Sequence, residues 1–191
     1  MLKRVRVIMQ SERFGVAARL FEDMIDGVSE ADEYVAAMFS PVPDEQGNVE
    51  EPEHMEMFCD GRLRLTDDTF SLSYEESELT GMEGTSSQLS FLLSQPDLVT
   101  MLRSGSVSTA LVFEPNQRHF CTYRTPYMPF EVCVHTLKVD NRLTSEGTLD
   151  LDYIIEIRGA QAERTRFTME IRTADEADPL PRPEIMLKNL Q

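Results

Sequence analysis

The chain has 191 residues, of which 41% are hydrophobic and 27% are charged, and this balance is typical of one globular domain. Its formal net charge of -16 makes nucleic acid an unexpected partner, because no basic stripe would offset the repulsion from phosphates. No apolar run approaches the ~18 residues of a membrane span. Three cysteines are an odd and small number, which fits a reducing compartment. We therefore expect a cytoplasmic protein that does not bind membranes.

The acidic residues are concentrated in one segment. From Leu20 to Gly61 there are 13 acidic residues and no Lys or Arg, whereas the other 21 acidic residues are nearly balanced by 18 basic ones. A block of this kind is usually a solvated surface. A contact surface for a basic protein partner is the alternative interpretation.

The first predicted element is a strand over residues 2–9, where apolar and polar residues alternate. From Phe14 onward the apolar residues follow the three- and four-residue spacing of a helix, and a second, shorter helical stripe ends at Phe39. The pattern predicts a helical pair over about 12–39, between the first and second strands. A polar linker without periodicity follows over 40–54.

Alternating residues separated by short turn signals predict nine further strands. These cover residues 55–65, 69–77, 85–93, 98–103, 107–113, 118–124, 130–139, 148–158 and 164–172. Short connections favour antiparallel neighbours, and a sheet of ten strands usually curls or closes. The sequence therefore predicts an all-β, antiparallel up-and-down barrel over 1–173, followed by a proline-rich tail over 174–191. A two-sheet sandwich is the alternative.

Several short motifs occur in an order that resembles a known family. They are YEES at 74–77, TGMEG at 80–84, RSGSVSTALVFE at 103–114, YRTPY at 123–127 and LDLDY at 149–153. Together with the first strand, this series is similar to the YwiB-like domain-of-unknown-function family of bacteria. The resemblance implies a calycin-like (lipocalin-like) β-barrel of 8 to 10 strands and brings no established activity. The chain departs from the family in the helical pair predicted over 12–39, which would be an insertion, and in Met128-Pro129, where a glycine is common.

A barrel of this size can hold one small ligand or be filled by side chains. Polar residues on otherwise apolar strand faces would orient such a ligand, and the candidates are Tyr74, Glu76, Arg103 and Arg124. Alternatively, Tyr74 packs in a core and Glu76 pairs with an arginine.

The helical pair has two interpretations. In the intracellular fatty-acid-binding calycins, a helix-turn-helix at the same place in the chain covers the barrel mouth, so by analogy residues 12–39 would form a lid over a ligand. The alternative is that the pair packs on the outer wall or forms a homodimer contact.

Two histidines and two cysteines flank one predicted turn. If His119 faces His135 and Cys121 faces Cys133, all four side chains share one face, and two His with two Cys form a known zinc set. A register shifted by one residue would place the two pairs on opposite faces. Ligands on flat strands are also spread more widely than in the usual structural zinc site, so we expect no metal and no other cofactor.

Conventional catalytic motifs are absent: the sequence has no G-x-S-x-G, P-loop, Rossmann glycine pattern or H-E-x-x-H. We therefore expect a protein that is not an enzyme and that binds a small hydrophobic or amphipathic molecule inside the barrel. The alternative is a non-catalytic protein-interaction module that uses the acidic segment 20–61.

Overall fold

The computed structural model describes residues 2–21, 41–43, 47, 49, 51–76 and 80–173. This part of the chain contains ten strands and no α-helix, and therefore no helix that could span a membrane. The strands are β1 (Leu2–Val16), β2 (Glu53–Leu65), β3 (Thr69–Glu75), β4 (Thr85–Leu92), β5 (Gln95–Gly105), β6 (Thr109–Phe113), β7 (Arg118–Arg124), β8 (Pro129–Arg142), β9 (Thr148–Ile157) and β10 (Ala162–Thr173).

All neighbouring strands are antiparallel, in the order β6-β5-β4-β3-β2-β1-β10-β9-β8-β7. The first and last strands pair in the middle of this sheet, from Val5 opposite Thr173 to Val16 opposite Ala162. The two edge strands meet at a bridge next to β6, where the backbones of Ser108 and Arg124 exchange hydrogen bonds of 3.0 and 2.9 Å. The result is a nearly closed up-and-down barrel, so the prediction of an all-β antiparallel barrel is confirmed.

Apolar side chains fill the barrel at the end where β1 and β3 begin. Phe70 and Phe91 stack there with their ring centroids 4.7 Å apart. Gly61 of β2 leaves no spare room, since a Cβ at this position would lie 2.7 Å from Val7 Cγ2 and 3.0 Å from Leu72 Cδ1. The alternating strands thus place their apolar faces inward, as period-two burial requires.

A second core lies on the outer face of the barrel wall. Val16, Ala18 and Leu20 pack there with Ile154 and Ala162, and all five residues are buried. The backbone N–H of Leu20 donates a hydrogen bond to the buried carboxylate of Glu156, and Arg118 donates to the Leu20 carbonyl at 3.1 Å. The residues that directly follow β1 are therefore held against the outside of the barrel.

The prediction of a helix from residue 12 is wrong, because residues 12–16 complete β1 and residues 17–21 form no helix. In the first half of β1 the buried apolar residues, Val5, Val7 and Met9, occupy odd positions, which face the interior. From Phe14 onward the apolar residues occupy even positions instead. These residues are Phe14, Val16, Ala18 and Leu20, and they face the outer core. Because the apolar residues change from odd to even positions, their spacing in the sequence resembles that of a helix.

The rest of the predicted helical pair, residues 22–39, lies outside the described residues, as does the tail over 174–191. Part of the predicted linker is described: Pro41 forms a bridge with Val16, and Pro43 forms one with Val49. The chain therefore returns to the end of β1 before β2 begins.

Candidate functional site

The other half of the barrel interior contains a partly enclosed cavity of about 340 Å³. It lies at the end where β1, β3 and β5 finish, opposite the packed end. The strands whose apolar side chains fill the packed end therefore also form the wall of the cavity. The cavity is lined mainly by Met9, Ser11, Arg13, Met55, Met57, Tyr74, Glu76, Met82, Met101, Arg103, Leu111, Tyr123, Val132, Tyr153, Ile155, Glu163, Thr165 and Phe167.

The apolar part of this lining is rich in methionine. Five methionines contribute to it, from β1, β2, β5 and the loop before β4: Met9, Met55, Met57, Met82 and Met101. The Tyr123 hydroxyl donates a hydrogen bond of 3.6 Å to the sulfur of Met82. Because methionine side chains are unbranched and polarizable, they can adjust to apolar groups of different shape.

Three of the four predicted ligand-binding residues, Tyr74, Glu76 and Arg103, line the cavity. Tyr74 and Glu76 share the inward face of Phe70 and Leu72, as the alternation predicts. Arg124 does not line the cavity. It is exposed at the end of β7, where its backbone forms the bridge that joins the edge strands.

Glu76 and Arg103 form an ion pair within the barrel. Arg103 Nε lies 3.5 Å from Glu76 Oε1, and only 2% of the Glu76 side chain is exposed. Ser87 Oγ, on the strand between them, donates a hydrogen bond of 2.5 Å to the same oxygen. The alternative interpretation, in which Glu76 pairs with an arginine, therefore describes the contact correctly, and the pair also forms part of the cavity wall.

Tyr74 is buried beside this pair. Burial raises the pKa of its hydroxyl well above the ordinary value, and the charge of Glu76 adds to the rise. Tyr74 stands opposite Ser87 in the β3–β4 register, and Ser87 stands opposite Arg103 in the β4–β5 register. One row of side chains across three strands thus brings a phenol, a hydroxyl and a guanidinium together, with the carboxylate of Glu76 next to them.

Sequence reasoning missed a second polar group on the opposite wall, formed by Tyr153, Thr165 and Arg13. Arg13 stands opposite Thr165, and Thr165 stands opposite Tyr153. Burial raises the pKa of the Tyr153 hydroxyl, and the charges of Arg103 and Arg13 oppose that rise. The two guanidinium groups, from β5 and β1, therefore both act on one phenol.

A signal for Ser11 and Arg13 exists in the sequence. The odd-numbered alternation of Val5, Val7 and Met9 continues through both residues, although the side chains become polar. The helical spacing that begins at Phe14 conceals this continuation.

The register required for a zinc set on the β7–β8 hairpin does not form. Arg118 pairs with His135 and Phe120 with Cys133, one residue away from the register that joins His119 to His135. His119 and Cys121 therefore share one face of the sheet, while Cys133 and His135 lie on the other. Among the described residues, no group of three or more His, Cys, Asp and Glu is arranged to hold a metal ion.

The turn chemistry explains this register. Thr125 Oγ1 accepts hydrogen bonds from the backbone N–H groups of Tyr127 and Met128, at 3.3 and 3.2 Å. These bonds close a loop of four residues, since Arg124 pairs with Pro129. The other register would require an additional residue in the loop.

The acidic segment 20–61 lies only partly within the described residues. Residues 22–40, 44–46, 48 and 50 lie outside the described part of the chain. The described residues 53–61 belong to β2, where Asp60 forms an exposed ion pair of 3.7 Å with Arg4. A basic partner for the segment stays a prediction.

Comparison with known proteins supports the architecture. The family model described as "Domain of unknown function (DUF1934)" matches residues 42–169, and no curated protein matches the chain. Among solved structures, the crystal structure of the YwiB protein from Bacillus subtilis is similar, with a TM-score of 0.60 and 15% sequence identity over 90% of this chain and 94% of that chain. At this identity the likeness shows a shared fold. Because the family model covers well over half of the sequence, the chain belongs to the DUF1934 family of domains of unknown function.

Proposed function

We propose that this barrel binds a small, partly apolar molecule in its cavity. The observation that carries the proposal is the contrast between the two ends of the barrel interior. One end is packed, so that even a Cβ at Gly61 would clash, and the other encloses about 340 Å³. This volume lies at the lower end of the ~300–1,000 Å³ that is typical of ligand pockets.

The chemistry of the wall suits a molecule with both apolar and polar parts. Methionines, Leu111 and Phe167 provide a deformable apolar surface, while the tyrosines and arginines provide a few fixed polar groups. We propose binding without a reaction, because Glu76, a natural candidate for an acid or base, is held by Arg103 and Ser87. A lid is not part of the proposal, since residues 12–16 are strand and residues 17–21 lie on the outer wall.

Two measurements test this function. Native mass spectrometry of protein purified under mild conditions is expected to show a bound species, and the uptake of an environment-sensitive naphthalene dye measures whether the cavity is accessible. Met101→Trp would fill the cavity from β5 and is expected to abolish dye uptake. Leu102→Trp is the matched control, because Leu102 is the next residue and faces outward, with 45% of its surface exposed.

Both outcomes of the dye experiment are informative. Loss of uptake in Met101→Trp alone supports a ligand cavity in the barrel. Equal dye uptake by Met101→Trp and Leu102→Trp would refute the proposal. It would also be refuted if the original protein and both variants took up no dye and mass spectrometry showed no bound species.

A further inference from the structure

We infer that the ligand carries an oxyanion, such as a carboxylate, and that Arg103 and Arg13 bind it from two walls of the cavity. The inference rests on the proposed function and specifies the chemical class of the ligand. The apolar part of the ligand would contact the methionines, and its acidic group would lie near the Tyr153 hydroxyl.

The first support is a set of unused hydrogen-bonding atoms. Ser11 Oγ, Arg13 Nε and Arg103 Nε are buried and form no hydrogen bond with any described residue. All three residues line the cavity. Buried polar atoms in folded proteins are nearly always paired. Ser11 Oγ and Arg13 Nε have no such partner among the described residues, and Arg103 Nε has only the 3.5 Å ion pair with Glu76, so these atoms of the cavity lining can serve a partner from outside the chain.

The chemistry of these atoms restricts that partner. A guanidinium N–H can only donate a hydrogen bond, and arginine keeps its charge at any ordinary pH. The missing partner of Arg103 and Arg13 must therefore be an acceptor, and the planar fork of each guanidinium matches the two oxygens of a carboxylate. An ammonium group has no acceptor and cannot satisfy these donors.

The charge of Arg103 is balanced by Glu76, but its Nε–H forms no hydrogen bond with a described residue. Its Nε lies 3.5 Å from Glu76 Oε1 without forming a hydrogen bond, and Ser87 already donates to that oxygen. A ligand oxygen can thus bind the guanidinium while the ion pair with Glu76 persists. A guanidinium has several N–H groups, so the two acceptors do not exclude one another.

Arg13 is arranged in a similar way at the other wall. Its terminal nitrogen lies 3.3 Å from the exposed carboxylate of Glu53, whereas its Nε is buried and forms no hydrogen bond within the described part of the chain, and the residue lines the cavity. Arg103, Arg13 and Tyr153 line the same cavity, and Arg13 stands opposite Thr165, the neighbour of Tyr153 in the sheet. Glu163 also lines the cavity but is exposed, and its repulsion of an anion is therefore weakened by water and salt.

The test uses three probes of equal chain length that differ only in the head group: decanoate, decanol and decylamine. Titration calorimetry is expected to show the tightest binding for decanoate. Arg103→Gln is expected to weaken decanoate binding by about 10- to 100-fold, the range for one charge-assisted hydrogen bond, with a change of less than about threefold for decanol. Arg62→Gln, an exposed arginine on β2, is the matched control.

A second pair of variants protects the test against misfolding. The double variant E76Q/R103Q removes both charges of the ion pair together, and Arg13→Gln changes a residue whose ion pair is at the surface. Both variants are expected to show a smaller difference in affinity between decanoate and decanol than the original protein does. The remaining outcomes separate the two proposals. Binding of none of the probes would contradict the proposed function, whereas equal binding of decanol or decylamine, or unchanged decanoate binding in all variants, would overturn only the oxyanion.

Discussion

Arg103 and Glu76 face one another across β4 inside the barrel, with 3.5 Å between Nε and Oε1. Ser87, on the strand between them, holds the same carboxylate oxygen. Only 2% of the Glu76 side chain and 18% of the Arg103 side chain are exposed. Neither charge can therefore rely on water if its partner is removed.

The first prediction follows from this pair. Glu76→Gln is expected to lower the free energy of unfolding by about 3 kcal/mol, because it leaves the Arg103 charge buried without a counterion. Urea unfolding measures the change. Glu75→Gln, at the exposed neighbouring position, is expected to stay within about 0.5 kcal/mol of the original protein. The double variant E76Q/R103Q should recover part of the loss, and an equally stable Glu76→Gln would show that the pair does not contribute.

The second prediction concerns the packed end. Gly61→Ala is expected to destabilise the protein by about 1–3 kcal/mol, because the new methyl group would lie 2.7 Å from Val7 Cγ2. Thermal unfolding followed by circular dichroism measures the effect. Arg62→Ala, one residue further and exposed, provides the control. If Gly61→Ala were as stable as the control, the packed end would have more space than the structure indicates.

The third prediction separates the outer core from the cavity. Leu20 is fully buried on the outer wall, so Leu20→Ala is expected to cost about 2–5 kcal/mol of stability. Dye uptake by the folded protein should stay unchanged, since Leu20 does not line the cavity. Leu92→Ala, at a position that is 48% exposed, should change neither quantity much. Loss of dye uptake in folded Leu20→Ala would show that the two regions are coupled.

The fourth prediction is a loss of stability in alkali. Burial raises the pKa of Cys59 from 9.0 to about 12 and that of Cys133 from 9.0 to about 11. Above pH 9 the unfolded chain releases protons that the folded protein retains, so the stabilisation is complete below pH 9 and falls as the pH rises through 11. Urea unfolding between pH 7 and pH 11 measures the slope. Cys59→Ala should reduce it, and a flat profile would contradict these pKa shifts.

The sequence predicted the strands well because burial on one side imposes a period of two. The strand predicted over 69–77 corresponds to β3 over Thr69–Glu75, and the alternation correctly placed Tyr74 and Glu76 on the face of Phe70. The same alternation cannot show which residue stands opposite on the next strand. The register that pairs Cys121 with Val132 depends on the hydrogen bonds of Thr125 in the turn. The alternation of apolar and polar residues gives no information about those bonds.

The end of β1 could not be predicted for a different reason. A strand with one dry face gives a simple alternation, but β1 contacts two cores on opposite faces. Where Met9 gives way to Phe14, the apolar side chains change face, and the inward positions become the polar Ser11 and Arg13. Ser11 and Arg13 therefore could not be recognised as part of the polar cavity wall, because the apolar spacing of their segment resembles that of a helix.

The pairing of β1 with β10 also has a consequence for folding. Val5 stands opposite Thr173, so the central ladder of the sheet joins residues from the two ends of the described chain. Such a contact closes a very long loop, which costs conformational entropy before it gains hydrogen bonds and burial. We therefore expect slow folding, in which β2 to β6 and β7 to β10 form as separate meanders and the barrel assembles only after the last strand has been synthesised.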